Sequence, residues 1–128
     1  MINIPLALLY ATFSFAIPQT AALNLYAATS DGKVTTLALE NSNGTLSLSV
    51  TSETAQCATN PSWLTLDSEN RILYCLDRGN ARTANGSLNS FEVRPGGNLT
   101  RVGRTIVPLS GVHMDLFGSK RVGIASIS

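Results

Sequence analysis

Beyond residue 22, apolar and polar residues alternate with a period of two, and almost no 3.6-residue periodicity is present. Segments rich in Val, Leu, Thr, Ser and aromatics run LNLYAAT (23–29), KVTTLALE (33–40), TLSLSVTS (45–52), SWLTL (62–66), RILYCL (71–76), SLNSFEV (87–93), LTRVGRTIV (99–107), VHMDLF (112–117) and RVGIASI (121–127). Turn-forming clusters separate them: NSNG, DSEN, the Asn85-Gly86 pair, PGGN and FGSK. This pattern predicts an all-β protein of short antiparallel strands. Only SETAQCATNP (52–61) has room for a helical turn.

The strands repeat. Tyr26 and Tyr74 lie 48 positions apart, each after Leu and before a small residue, and each is followed by a polar loop with Gly. Further on, Leu66 falls on Leu116 and Arg71 on Arg121, an offset of 50. A period near 50 with about four strands per unit is the pattern of β-propeller blades. With strands labelled A to D from the axis outward, the chain reads B-C-D (23–52), A-B-C-D (62–107) and A-B (112–127). The expected fold is a partial propeller: one complete antiparallel four-stranded blade between two incomplete ones. Closed propellers often complete their first blade with a strand from the far end of the chain. Here the chain stops inside a hairpin at Ser128, so the expectation is a piece of a longer protein, marginally stable and prone to non-specific self-association.

Within the complete unit, alternation places Trp63 and Thr65 on one face and Ser62, Leu64 and Leu66 on the other. An indole between stacked sheets buries a large area, so Trp63 reads as packing ahead of ligand binding.

The first residues are a different material. IPLALLYATFSFAI (4–17) carries no charge, and the first charged side chain is Asp31. Fourteen residues are too few for a helical membrane span of about 20. The length suits a secretory signal, with cleavage before Leu23 or after Ala16, although no Lys or Arg precedes the apolar run. The expectation is a signal peptide over 1–22, a propeller segment over 23–128 and a secreted product with no membrane partner after cleavage. A retained anchor or a misassigned start are the alternatives.

Charge and chemistry narrow the field by exclusion. Nine Lys+Arg against eight Asp+Glu leave a formal charge of +1. The basic residues, all but Lys33 beyond position 70, are scattered through turns and strands. No nucleic-acid partner follows from that distribution. GxSxG, HExxH and CxxC are all absent, and no Gly-rich loop opens a helix, so neither a cofactor nor a protein-only metal site is expected. Asp67 and Glu69 sit in a hairpin turn and read as turn formers. Cys57 and Cys75 are 18 positions apart. In an oxidising compartment they can pair, for about 3 kcal/mol by loop closure; otherwise they are two buried thiols.

In an A-to-D meander the B–C and D–A connections emerge together, and here they are the long ones, 77–86 and 53–61. Long loops on a rigid scaffold carry function disproportionately. Asp77, Arg78 and Arg82 are therefore expected at a channel mouth, where two guanidinium groups can bind a carboxylate or phosphate. An ordinary solvated loop is the competing reading. His113 opens a predicted innermost strand; it is either a fourth mouth residue or a partly buried polar side chain. Three N-glycosylation sequons start at Asn43, Asn85 and Asn98, all at connections. A chain this rich in Asn, Ser and Thr produces roughly two such triplets by chance, and Asn-Gly is also a preferred hairpin turn.

NPSWLTLDSENRILYCLDRG, the following NGSLNSFEV and the earlier LYAATSDGKVTTLAL together resemble the start of the lactonase-type seven-bladed propeller family. That family includes 6-phosphogluconolactonases and the carboxy-cis,cis-muconate cyclases of fungi, whose secreted members carry a signal peptide. The resemblance covers roughly residues 23–125 and implies a parent that hydrolyses or isomerises a sugar-acid lactone. The family's channel-lining His, Arg and Glu lie mainly in later blades, and none is matched here residue by residue. The resemblance thus implies no catalytic residue in this segment. A non-catalytic secreted module using the same scaffold for recognition is the rival reading.

Overall fold

The structure is a computed structural model that describes residues 22–118 and 121–126; the proposed signal segment lies, apart from Ala22, outside the described residues. Nine strands follow one another: β1 (Leu23–Ala28), β2 (Val34–Ser42), β3 (Thr45–Thr54), β4 (Pro61–Asp67), β5 (Ile72–Asp77), β6 (Gly86–Val93), β7 (Leu99–Val107), β8 (Gly111–Phe117) and β9 (Arg121–Ser126). They form antiparallel meanders of three, four and two strands, in orders β1-β2-β3, β4-β5-β6-β7 and β8-β9. This grouping of strands is consistent with a partial propeller. The segment 55–60 contains turns and no helix. β3 runs on to Thr54, and the six residues left before β4 turn so as to bring Cys57 onto β5.

The sheets stack face to face through two apolar layers. Between the first and second lie Val34, Cys57, Leu73, Cys75 and Phe91, with Tyr26, Leu64, Val93 and Leu99 around them. Between the second and third lie Leu76, Val107 and Met114, with Tyr74, Leu88, Val122 and Ile124. The central sheet is thus covered on both faces, and β5 shows it: Leu73 and Cys75 point one way, Leu76 the other, and all three are buried. Burying a side chain the size of Phe91 stabilises by about 2 kcal/mol. Cys57 and Cys75 form a disulfide with Cα atoms 5.9 Å apart, tying the β3–β4 connection onto β5.

Hydrogen bonds between sheets carry the repeat into three dimensions. Ser62 Oγ donates to the Gly111 carbonyl at 2.7 Å and Thr65 Oγ1 to the Met114 carbonyl at 3.3 Å, both across 49 positions. Ser62 therefore faces the third sheet together with Thr65, contrary to simple alternation. The cause is a β-bulge: Pro61 pairs with Asp77 and Trp63 with Leu76, leaving Ser62 as the extra residue. The same bulge recurs at Val112, between Gly111 and His113. Gly97 shows how close the sheets come. It has φ of 86°, it accepts a 3.0 Å hydrogen bond from Thr36 Oγ1, and an added Cβ would meet the Thr36 methyl at 2.7 Å.

One face of the first sheet has no partner among the described residues. Leu23, Leu39 and Leu48 lie in register across its strands, as do Leu25, Leu37 and Val50. Leu23, Leu46, Leu48 and Val50 are each more than half exposed. Beside the free edge of β1 runs a concavity of about 300 Å³ lined by Leu23, Tyr26, Leu66, Arg71 and Val93. Burial there pushes the Tyr26 hydroxyl up, with the Arg71 charge acting in the opposite direction.

Candidate functional site

The β3–β4, β5–β6 and β7–β8 connections meet at one end of the inner strands. Their backbones are stitched together: Arg78 N–H donates to the Asn60 carbonyl at 3.0 Å, and Ser110 N–H to the Arg78 carbonyl at 2.9 Å. Asn60 Nδ2 adds a bond to the Gly79 carbonyl at 3.1 Å. Gly86 is required by this closeness and not by a turn. It opens β6 opposite Val107, and a Cβ would meet the Pro108 carbonyl at 3.1 Å. The Asn85-Gly86 pair is accordingly no hairpin turn; a longer loop connects β5 to β6. By contrast, Asn43 and Gly44 have φ of 52° and 84°, as a tight two-residue hairpin demands.

Asp77 is not on the rim. It is 2 % exposed, and its carboxylate turns inward to hold the connections in place. Oδ1 accepts from Asn60 N–H at 3.0 Å and Gly79 N–H at 3.1 Å, and Oδ2 accepts from Ser87 Oγ at 3.1 Å. Asn89 Nδ2 continues this buried chain, donating to Ser87 Oγ at 3.1 Å and to the Cys57 carbonyl at 3.0 Å. A carboxylate at the end of β5 can be buried only because backbone donors and a hydroxyl surround it.

Arg78 and Arg82 are exposed, and neither forms an ion pair among the described residues. Arg82 rides on a self-bonded turn in which Asn80 Oδ1 accepts from Arg82 N–H at 2.8 Å, with Asn80 N–H donating to Thr83 Oγ1 at 2.8 Å. His113 is exposed and meets Trp63 edge to face, ring centroids 4.5 Å apart and planes at 65°. Trp63 is 38 % exposed, so it is less enclosed than an inter-sheet packing residue. The two rings occupy equivalent places in successive inner strands, each directly after the bulged residue. The site is thus two unpaired guanidinium groups on the connections and an aromatic–imidazole pair at the strand starts. Sequence reasoning placed Trp63 and His113 separately and missed that they touch; their shared offset of 50 was the available signal. It also missed Asn60, Ser87 and Asn89, whose roles depend on the buried Asp77.

A family model described as "Lactonase, 7-bladed beta-propeller" matches residues 20–125. With its three stacked antiparallel meanders, the chain belongs to this family of β-propellers. Searches of curated proteins and of solved structures found no match.

Proposed function

We propose that this chain supplies the opening blades of a secreted lactonase-type propeller whose complete ring hydrolyses or isomerises a sugar-acid lactone. The three sheets alone do not catalyse. The family match carries the reading. The exposed Arg78 and Arg82 guanidinium groups support it, since they suit the carboxylate or phosphate of such a substrate. In this reading the arginines recognise the anion, and Trp63 and His113 form the wall beside it. The connections 55–60, 78–85 and 108–110 contain no Asp or Glu, and Asp77 is fully engaged as an acceptor, which supports inactivity of the segment. His113 is then the acid–base group left beside the arginines, and the remaining members of a catalytic set would come from other blades.

That same lack of a free carboxylate favours, as the second reading, a non-catalytic module that binds small anions. Stopped-flow assays with 6-phosphogluconolactone test the first. The purified chain is expected to leave the spontaneous hydrolysis rate unchanged, and turnover by the chain alone would refute its proposed inactivity. Replacing Arg78 and Arg82 together by Ala in the complete ring-forming protein is expected to raise KM at least tenfold; unchanged KM would remove them from the site.

A further inference from the structure

The three sequons are not equivalent in the fold. Asn43 sits in the hairpin joining β2 to β3, and Asn98 in the turn joining β6 to β7, the same C–D position of successive blades. Both asparagines are exposed, and so are their hydroxyl residues Thr45 and Thr100. Asn85 differs. It lies at the other end of β6, and Ser87, the hydroxyl of its sequon, is 0 % exposed. That hydroxyl donates to Asp77 Oδ2 at 3.1 Å and accepts from Asn89 Nδ2 at 3.1 Å. The backbone of Asn85 is also wedged against Gly79, where a Cβ on the glycine would collide with the Asn85 carbonyl.

We infer that Asn43 and Asn98 carry N-linked glycans and that Asn85 stays bare. In oligosaccharide transfer the Asn Nδ2 attacks the anomeric carbon of a lipid-diphosphate-linked sugar while the sequon hydroxyl is bound in the transferase. The C–N bond forms, the sugar–phosphate C–O bond breaks, the lipid diphosphate leaves, and the amide gives up one proton to a base of that enzyme. The segment must therefore leave its folded surroundings or be reached before they form. At Asn43 and Asn98 both groups remain in solvent after folding. The Asn43 hairpin can enter an active site by small local motions; the Asn98 turn is held at Gly97 by Thr36, but reaching its amide and Thr100 disturbs no buried hydroxyl. At Asn85 the hydroxyl is part of the buried acceptor system of Asp77. Releasing it breaks that chain of bonds and opens the connection beside the Cys57–Cys75 disulfide. The functional consequence is an uneven coat. Sugars mark the C–D turns, while the connections bearing Arg78 and Arg82 stay open to a ligand.

This inference rests on the reading of the chain as secreted, so its test forces entry to the secretory pathway. The full chain is expressed behind a foreign leader in a eukaryotic host. Peptide N-glycosidase in heavy-oxygen water then labels each occupied Asn as it becomes Asp, and peptide mass spectrometry locates the label. Label at Asn43 and Asn98 with none at Asn85 is expected. Label at Asn85 to the same extent, or its lack at Asn43 or Asn98, overturns the inference. Adding dithiothreitol to the cells, which keeps Cys57 and Cys75 from pairing, is expected to bring label onto Asn85. An Asn85 that stays bare under reduction would refute burial of Ser87 as the cause. Because the leader is foreign, failure of the native leader to direct secretion is a separate result.

Discussion

Asp77 illustrates how one side chain sets the geometry of three connections. Its two carboxylate oxygens take donors from Asn60, Gly79 and Ser87. An Asp77→Ala change leaves all three without an acceptor in a buried place. It is expected to cost about 3 kcal/mol, read as a drop in the urea midpoint at unchanged m-value. Ser87→Ala removes one donor and is expected to cost about 1 kcal/mol. Asp67 works at the surface. The side-chain and backbone N–H groups of Asn70 hold its carboxyl below the usual range, at 2.8 and 3.1 Å. The folded hairpin therefore prefers the carboxylate. Its stabilisation is complete above the unfolded-state carboxylate range and is lost as pH falls through the lower folded-state value. Asp67→Asn is expected to flatten the acid limb of the stability curve below roughly pH 4, checked by urea midpoints from pH 2 to 7. The turn role of Asp67 was legible in the sequence, because an Asx turn involves only neighbours. The burial of Asp77 was not, since its partners come from the connections before β4 and after β5 and from the neighbouring strand β6.

Strands were read well and their faces less so. All nine segments appear within a residue or two of the predicted bounds, and β7 matches residue for residue. The bulges at Ser62 and Val112 escaped, because alternation assumes one residue opposite one, and an extra residue is dictated by what the partner sheet bonds. The disulfide fastens the β3–β4 connection to β5. Replacing both cysteines with Ser is expected to cost about 3 kcal/mol, measured by denaturant unfolding of the two proteins side by side. On β3, Leu46, Leu48 and Val50 present an exposed aliphatic row. Converting them together to Thr, a β-branched strand former, removes the apolar surface. Sedimentation is expected to show weaker self-association, with stability changed by less than about 0.5 kcal/mol per site.

Among the described residues, the molecule is a stack in which only the central sheet has both faces covered. The outer face of the first sheet and the free edge of β1 leave leucines and backbone donors to water, a poor basis for a cooperative unit. Heating the chain in a calorimeter is expected to give a broad transition whose midpoint rises with protein concentration. A sharp transition independent of concentration would contradict this picture.

Period-two alternation, Gly and Asn punctuation and the offset near 50 were enough to establish strands, meanders and their grouping into sheets, since each depends on residues a few positions apart or on simple repetition. Tertiary contacts decided the rest. Contacts between sheets, across 49 or 50 positions, set which way Ser62 turns and that Trp63 meets His113; the packing of the connections set that Asp77 points inward and that Ser87 is hidden while Thr45 and Thr100 are not. Burial and hydrogen bonding at those places depend on which atoms the neighbouring strands, loops and sheets supply, and no local rule along the chain contains that information.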